Sequence, residues 1–177
     1  MRQSINSKWI ALIVVAVFLL FWLIGWYWSF APATYDVNKR VAQQTSVANP
    51  ANIAGYTLTS TMIEVSETLL DKPGGYLSND VIPPGVFLDN MPSFEFGVLE
   101  MIRDLALSMR KDFSRSQSQS IENPYLTKAH PKFNMDHRSW MFPSSESSYR
   151  DGITLLKQYR DALADPQNGD SQFYTRA

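Results

Sequence analysis

The sequence predicts a mainly α protein: one N-terminal transmembrane helix followed by a small helical-bundle domain with long irregular connectors. Three observations carry that prediction. The twenty-two residues from Trp9 to Phe30 carry no charge. Three later segments repeat apolar side chains at the helical period, and no segment shows the alternation of a strand. Proline and glycine clusters separate those segments. The chain divides accordingly into a cytoplasmic tail (1–8), a transmembrane helix (9–30), a juxtamembrane spacer (31–54) and a helical extracytoplasmic domain (55–177).

Between Ile10 and Ile24, twelve residues are Leu, Ile, Val or Phe. Each is worth roughly −0.3 to −0.6 kcal/mol near the centre of a membrane helix, so the gross insertion term is about −4 to −7 kcal/mol. Trp9 at one end and Trp26, Tyr27 and Trp28 at the other suit the headgroup level. A cleaved secretory signal is the rival reading, with Arg2 and Lys8 as its basic start and Ala31-Pro32-Ala33 as its cleavage site. Its apolar core would be roughly 7–15 residues long. This one runs from Ile10 to Trp28, ends in bulky aromatics and is followed by a proline that fits a peptidase poorly. The prediction is an uncleaved anchor with the lipid bilayer as its partner. Arg2 and Lys8 before the span balance Lys39 and Arg40 after it, so orientation rests on the short tail and its terminal amine. These favour an N-terminus in the cytoplasm.

Beyond the span lie 147 residues, enough for one domain with a core. All 17 acidic and 14 of the 16 basic residues fall there, for a net charge of −3. A mildly acidic mixed surface argues against nucleic acid, which needs a concentrated basic footprint. The chain has no cysteine, hence no disulfide, thiolate metal site or cysteine nucleophile.

Residues 31–54 are small and polar with Pro32 and Pro50, and they read as a spacer. From Tyr56 to Leu70, the residues Leu58, Met62, Val65 and Leu69 keep the helical period, and Lys72-Pro73-Gly74-Gly75 ends that helix near residue 71. The stretch from Tyr76 to Pro92 is too apolar for a disordered linker and too punctuated for a long helix, so an ordered irregular connector is expected. Asn90 or Ser93 caps a second helix near 92–115, with Pro92 in its first turn. Its stripe is Phe94, Val98, Met101, Leu105 and Met109, with Ile102 and Phe113 beside it. Ser116 to Ser120 is a polar tether. The stretch to Pro143, broken by Pro124 and Pro131, reads as loop with a short turn near Asn123–Lys128. Ser144 or Ser145 opens a third helix near 145–164, striped by Tyr149, Ile153, Leu156, Tyr159 and Leu163 and stopped at Asp165-Pro166. The expected shared core is Leu58, Met62, Val65, Leu69, Val98, Met101, Leu105, Met109, Ile153, Leu156 and Leu163.

Several strings resemble one family. They include Glu67 to Gly97, Arg103-Asp104-Leu105, Asp112 to Ser120 and the closing Gln172-Phe173-Tyr174-Thr175-Arg176-Ala177. Over most of the chain they are similar to an uncharacterised Gram-negative bacterial single-span membrane family catalogued as a domain of unknown function. The resemblance implies a bacterial inner membrane and, since members are longer, an N-terminal fragment. It implies no catalytic residue.

Few residues invite chemistry. His130 and His137, with Asp136 between them, are the single imidazole cluster, but a spacing of seven matches neither i, i+4 on a helix nor a recognised finger, and the expectation is exposed loop residues without metal. The serines of 114–120 lack the Gly-x-Ser-x-Gly elbow of a hydrolase. Pro73-Gly74-Gly75 lacks the ending of a phosphate loop. Glu64 and Glu67 share a helical face, and Asp80, Asp89 and Glu95 flank the connector. A glycosidase would need two of these about 5–9 Å apart. No catalytic, cofactor-binding or metal residue is assigned.

Three functional classes remain. The favoured one is a membrane-anchored scaffold or interaction module of the cell envelope, with the helical domain in the periplasm docking an envelope protein. The alternatives are a cell-wall glycan- or peptide-acting enzyme and a helical ligand-binding accessory protein with an enclosed apolar pocket. Lys72 to Gly97 is the candidate docking surface, with Tyr76, Asp80, Phe87, Asp89 and Phe94 as its residues. The competing reading packs these side chains between the first two soluble helices.

Overall fold

A computed structural model describes residues 7–45, 47, 49–115, 121–167 and 171–175 of the chain. Six α-helices and no strand occur among them, so the protein is mainly α as predicted. The first, α1 (Ser7–Trp28), contains 22 residues and has Gly25 as its one buried residue. At about 1.5 Å per residue it is long enough to cross the ~30 Å apolar layer of a bilayer. Its apolar stretch has a mean hydropathy of 2.6.

The expected spacer is more structured than its composition suggests. Asp36 accepts the Lys39 amide at 3.0 Å and caps α2 (Val37–Gln44). Val41 is buried, and Arg40 reaches Glu64 on the next helix at 2.7 Å. One buried valine among polar neighbours is too little to stand out as a repeat, yet with the Arg40–Glu64 pair it ties the helix to the domain.

The next helix, α3 (Tyr56–Asp71), occupies the predicted range. Its buried face is broader than the stripe: Met62 and Leu69 lie inside as predicted, Ile63, Ser66 and Leu70 join them, and Leu58 and Val65 are half-buried. The helix stops where proline and glycine require it to. Gly74 and Gly75 both adopt positive φ, 86° and 72°, which favours a residue without Cβ.

After the connector, α4 (Asn90–Ser108) runs on into a wider π turn at Met109–Phe113. Asp89 precedes it without a side-chain cap, and Pro92 sits in the first turn. Here the predicted stripe is corrected. The buried residues are Met91, Glu95, Leu99, Ile102, Ala106 and Met109, so the inward face turns toward the next residue of each predicted pair. Val98 and Leu105 pack at its margin, Phe94 is 40% exposed and Met101 is 71% exposed. Glu95, which the sequence sets beside the connector, lies inside at 0% exposure.

A second correction is α5 (Pro124–Phe133), a ten-residue helix where loop was predicted. Asn123 caps it, accepting the amides of Tyr125 and Leu126 at 3.0 and 3.3 Å. Pro124 fits the N1 position, and Leu126, Ala129 and Phe133 face the core. Pro131 in the last turn hid this short period. The final helix, α6 (Ser145–Ala164), matches its predicted range, with Ser144 accepting the Ser147 amide at 3.2 Å. Tyr149, Ile153, Leu156 and Tyr159 are buried. Lys132 of α5 pairs with Asp151 of α6 at 2.8 Å, and Ser148 donates to the Lys132 carbonyl at 2.9 Å. The C-terminal segment returns to the bundle: Phe173 stacks on Phe113 at 5.1 Å, and the Tyr174 amide donates to the Phe113 carbonyl at 2.7 Å. The predicted tether at 116–120 lies outside the described residues.

Glu122 joins the end of α4 to the start of α5. Arg110, Lys111 and Arg115 approach it at 2.6, 3.1 and 3.7 Å. Hydrogen bonds from Arg110 and Lys111 hold its carboxyl down at about 2.

Two predictions follow from the packing. Leu99→Ala should cost about 2–5 kcal/mol, as for truncation of a buried leucine, whereas Met101→Ser should stay within about 0.5 kcal/mol. Chemical denaturation in detergent distinguishes them, and equal effects would restore the original stripe. Because the Glu122 carboxyl is depressed in the fold, its contribution to stability is present above the ordinary 4.5 and lost as pH falls toward 2. The stability difference between wild type and Glu122→Gln should therefore be constant above about pH 4.5 and shrink below it.

Candidate functional site

A charged pair at the junction of α3, the connector and α4 organises a region where polar side chains converge on a cleft. Glu95 and Lys72 are fully buried, with side-chain exposures of 0% and 1%. The Glu95 carboxylate accepts the Leu77 amide at 2.9 and 3.1 Å, the Ser78 amide at 2.7 Å and the Ser78 hydroxyl at 2.6 Å. Lys72 donates both to Glu95 and to the Gly75 carbonyl. One side chain thus fixes the path of the connector as it leaves the glycine turn.

The connector then lines a cleft of about 580 Å³, open to solvent, with Ser78, Asp80 and Gly85 on one wall and Phe96, His137 and Arg138 on the other. Asn79 ties the walls together, donating to the Ser139 carbonyl at 2.9 Å and to Glu146 at 2.8 Å. Gly85 leaves room for the Asp80 carboxylate, which a Cβ there would overlap. Burial raises the Asp80 pKa, the carboxylates of Glu95 and Glu146 raise it further, and Lys72 opposes them. Burial lowers His137, assisted by Arg138 and opposed by Asp136. The His137 ring lies 4.7 Å from that of Phe96. The cleft thus presents one carboxylate, one imidazole and one guanidinium above apolar walls that include Val86 and Leu88.

The five candidate surface residues separate. Tyr76 is corrected to the core: it is 4% exposed and its ring meets Tyr149 edge-on at 5.6 Å. Asp80 lies in the cleft, and Asp89 is exposed at the start of α4. Phe94 borders a groove against Pro32–Tyr35. Phe87 is 78% exposed and borders a groove of about 460 Å³ shared with Phe18, Phe21 and Trp22 of α1.

Glu64 and Glu67 line a second open cleft of about 580 Å³ with Asp71, Arg40 and Lys72, where Glu64 pairs with Arg40 and Glu67 with Lys157 at 2.6 Å. The two histidines stay apart. His130 faces Arg110 and Asn134, whereas His137 faces the connector cleft. Among the described residues, no three His, Asp or Glu side chains gather in a way that would hold a metal ion. Sequence reasoning missed the Lys72–Glu95 pair, Ser78 and Arg138. The available signal was a glutamate in line with Met91, Leu99, Ile102 and Ala106, a carboxylate inside an apolar row.

Truncating either partner leaves the other charge buried. Lys72→Met and Glu95→Gln should each destabilise by about 3–5 kcal/mol, and the double variant should cost much less than their sum. Denaturant titration of the four proteins measures that coupling, and strict additivity would refute it.

The comparison with known proteins agrees with the resemblance read from the strings. The family described as "Uncharacterized protein conserved in bacteria (DUF2333)" matches residues 2–177. No curated protein and no solved structure matches the chain. With a match over essentially its whole length, the chain belongs to the DUF2333 family of bacterial proteins.

Proposed function

We propose that this chain is a membrane-anchored module of the bacterial envelope. In this reading α1 crosses the inner membrane with its N-terminus in the cytoplasm, and the helical domain stands in the periplasm and docks an envelope protein. The observation that carries the reading is how α1 is seated. Its long flanks are apolar and unpartnered, while its C-terminal end is built into the domain. Gly25 lies against Pro84 and Leu88, and Trp28 lies against Gly74, where a Cβ would meet the indole at 2.8 Å. Asn90 donates to the Ser29 carbonyl at 3.3 Å. A cleaved signal has no reason to pack on the mature domain it leaves, whereas a permanent anchor sets that domain at a defined height and angle.

The docking face in this reading runs from Asp89 and Phe94 to the cleft rim at Asp80. A glycan- or peptide-acting enzyme finds less support. Asp80 is the one carboxylate lining the connector cleft, Glu95 is fully enclosed by its own donors, and the three carboxylates of the second cleft, Glu64, Glu67 and Asp71, are each paired with a cation, Arg40, Lys157 and Arg150. The four grooves described among residues 18–138 open to solvent, which lends an enclosed-pocket accessory protein less support.

Reporter fusions after residue 177 test the topology. A reporter active only in the periplasm should work and a cytoplasm-only reporter should stay silent, with the span retained in the mature protein. A mature N-terminus near Ala33 or an active cytoplasmic reporter overturns the anchor or its orientation, respectively.

A further inference from the structure

We infer that the connector segment Val81–Leu88 is a membrane-dipping loop that enters the outer leaflet beside α1, so that lipid acyl chains are its partner. The inference rests on the reading of α1 as a membrane span and adds a second, non-spanning contact to it.

Four large apolar side chains of this loop face outward: Val81 (54% exposed), Ile82 (68%), Val86 (49%) and Phe87 (78%). In a domain that buries Leu77 and Met91 on either side of them, that cluster calls for a partner. Its place along α1 identifies one. Phe87, Pro84 and Leu88 form a groove with Phe18, Phe21 and Trp22. At about 1.5 Å per residue, Phe21 lies ~10 Å and Phe18 ~15 Å before Trp28 on the helix axis. The loop therefore reaches past the Trp26–Trp28 belt, which marks the headgroup level, to the part of α1 that a bilayer would surround. Any bilayer that surrounds Phe18 and Phe21 also meets Phe87.

Charge and hydrogen bonding suit the same partner. No ionisable residue occurs from Val81 to Leu88, and Asp80 and Asp89 bound the segment on either side. Irregular backbone is normally excluded from lipid because its polar groups go unpaired. Here Pro83 and Pro84 carry no N–H, and the amides of Val86, Phe87 and Leu88 donate within the loop at 3.2, 3.0 and 2.9 Å. The loop is thus largely self-satisfied where it needs to be. Its insertion would make the domain lie on the membrane surface with the mouth of the Asp80 cleft at headgroup depth, since Val86 and Leu88 belong to both.

The absence of cysteine makes single-site labelling clean. Leu19→Cys, Phe87→Cys and Gln158→Cys of the full chain, each carrying an environment-sensitive fluorophore, are reconstituted in phosphatidylcholine vesicles with a minor share of phosphatidylglycerol. Quenchers are either aqueous iodide or spin labels on the acyl chains. The label at Phe87 should be blue-shifted, lose most of its emission to the acyl-chain quencher and resist iodide, like that at Leu19. The label at the exposed Gln158 should respond to iodide alone. A Phe87 label quenched by iodide while Leu19 stays protected overturns the loop insertion and spares the anchor. Iodide quenching at Leu19 overturns the anchor itself. Protection of Phe87 from both quenchers means that protein rather than lipid covers the loop, and also overturns the inference.

Discussion

A carboxylate with no exposed surface must replace the water it has lost, and Glu95 does so with one ammonium, two backbone amides and a hydroxyl. Much of the functional half of the molecule depends on that exchange. Because the donors lie on the inner side of α4, the helix must turn Glu95 inward, which sends Phe94 and Met101 outward. Because two of the donors are the Leu77 and Ser78 amides, the connector must leave the glycine turn along one path. That path delivers Asp80 to the cleft and the 81–88 loop to α1. A buried ion pair is a weak source of net stability, since desolvation offsets most of the attraction. Its value here is geometric: an apolar replacement could fill the space, but it would offer the connector nothing to hold.

What the sequence disclosed follows from the same physics. The ranges of α3 and α6 were legible because long apolar repeats end at strong stop signals, Pro73-Gly74-Gly75 and Asp165-Pro166. The face of α4 differs from the predicted stripe by one position because a count of apolar residues passes over a carboxylate, even one that stands in a row with Met91, Leu99, Ile102 and Ala106. Short helices were lost for a different reason. In α5 three inward residues and an internal Pro131 give too little period. In α2 a single buried residue, Val41, gives none. The cleft was not legible, since its walls come from the connector and from residues near 138, brought together by an Asn79–Ser139 contact that is 60 positions apart in the chain.

Glycine serves two roles at the base of α1 that composition cannot separate. Gly74 was read as a helix stop, and it is one. Its missing Cβ also leaves the flat space on which Trp28 lies. Gly25, in the middle of an apolar run, carried no signal at all, yet it is where α1 meets Pro84. These contacts, with Val41 buried and Arg40 paired to Glu64, leave little of residues 31–54 to act as a free tether. The end of α1 and the domain form one packed unit.

Two carboxylates show where the fold has spent its polar partners and where it has withheld them. Glu122 has three cations around it, and its charge is stabilised by the fold. Asp80 is in the opposite position: its pKa is raised, first by burial and then by the carboxylates of Glu95 and Glu146, with Lys72 opposing them. A raised carboxyl favours the fold below its unfolded pKa, and that benefit is lost as pH rises through the folded value. Ionising Asp80 in the cleft wall is therefore a cost to the domain, whereas ionising Glu122 is a gain: burial and neighbouring carboxylates act on the first, and three cations act on the second.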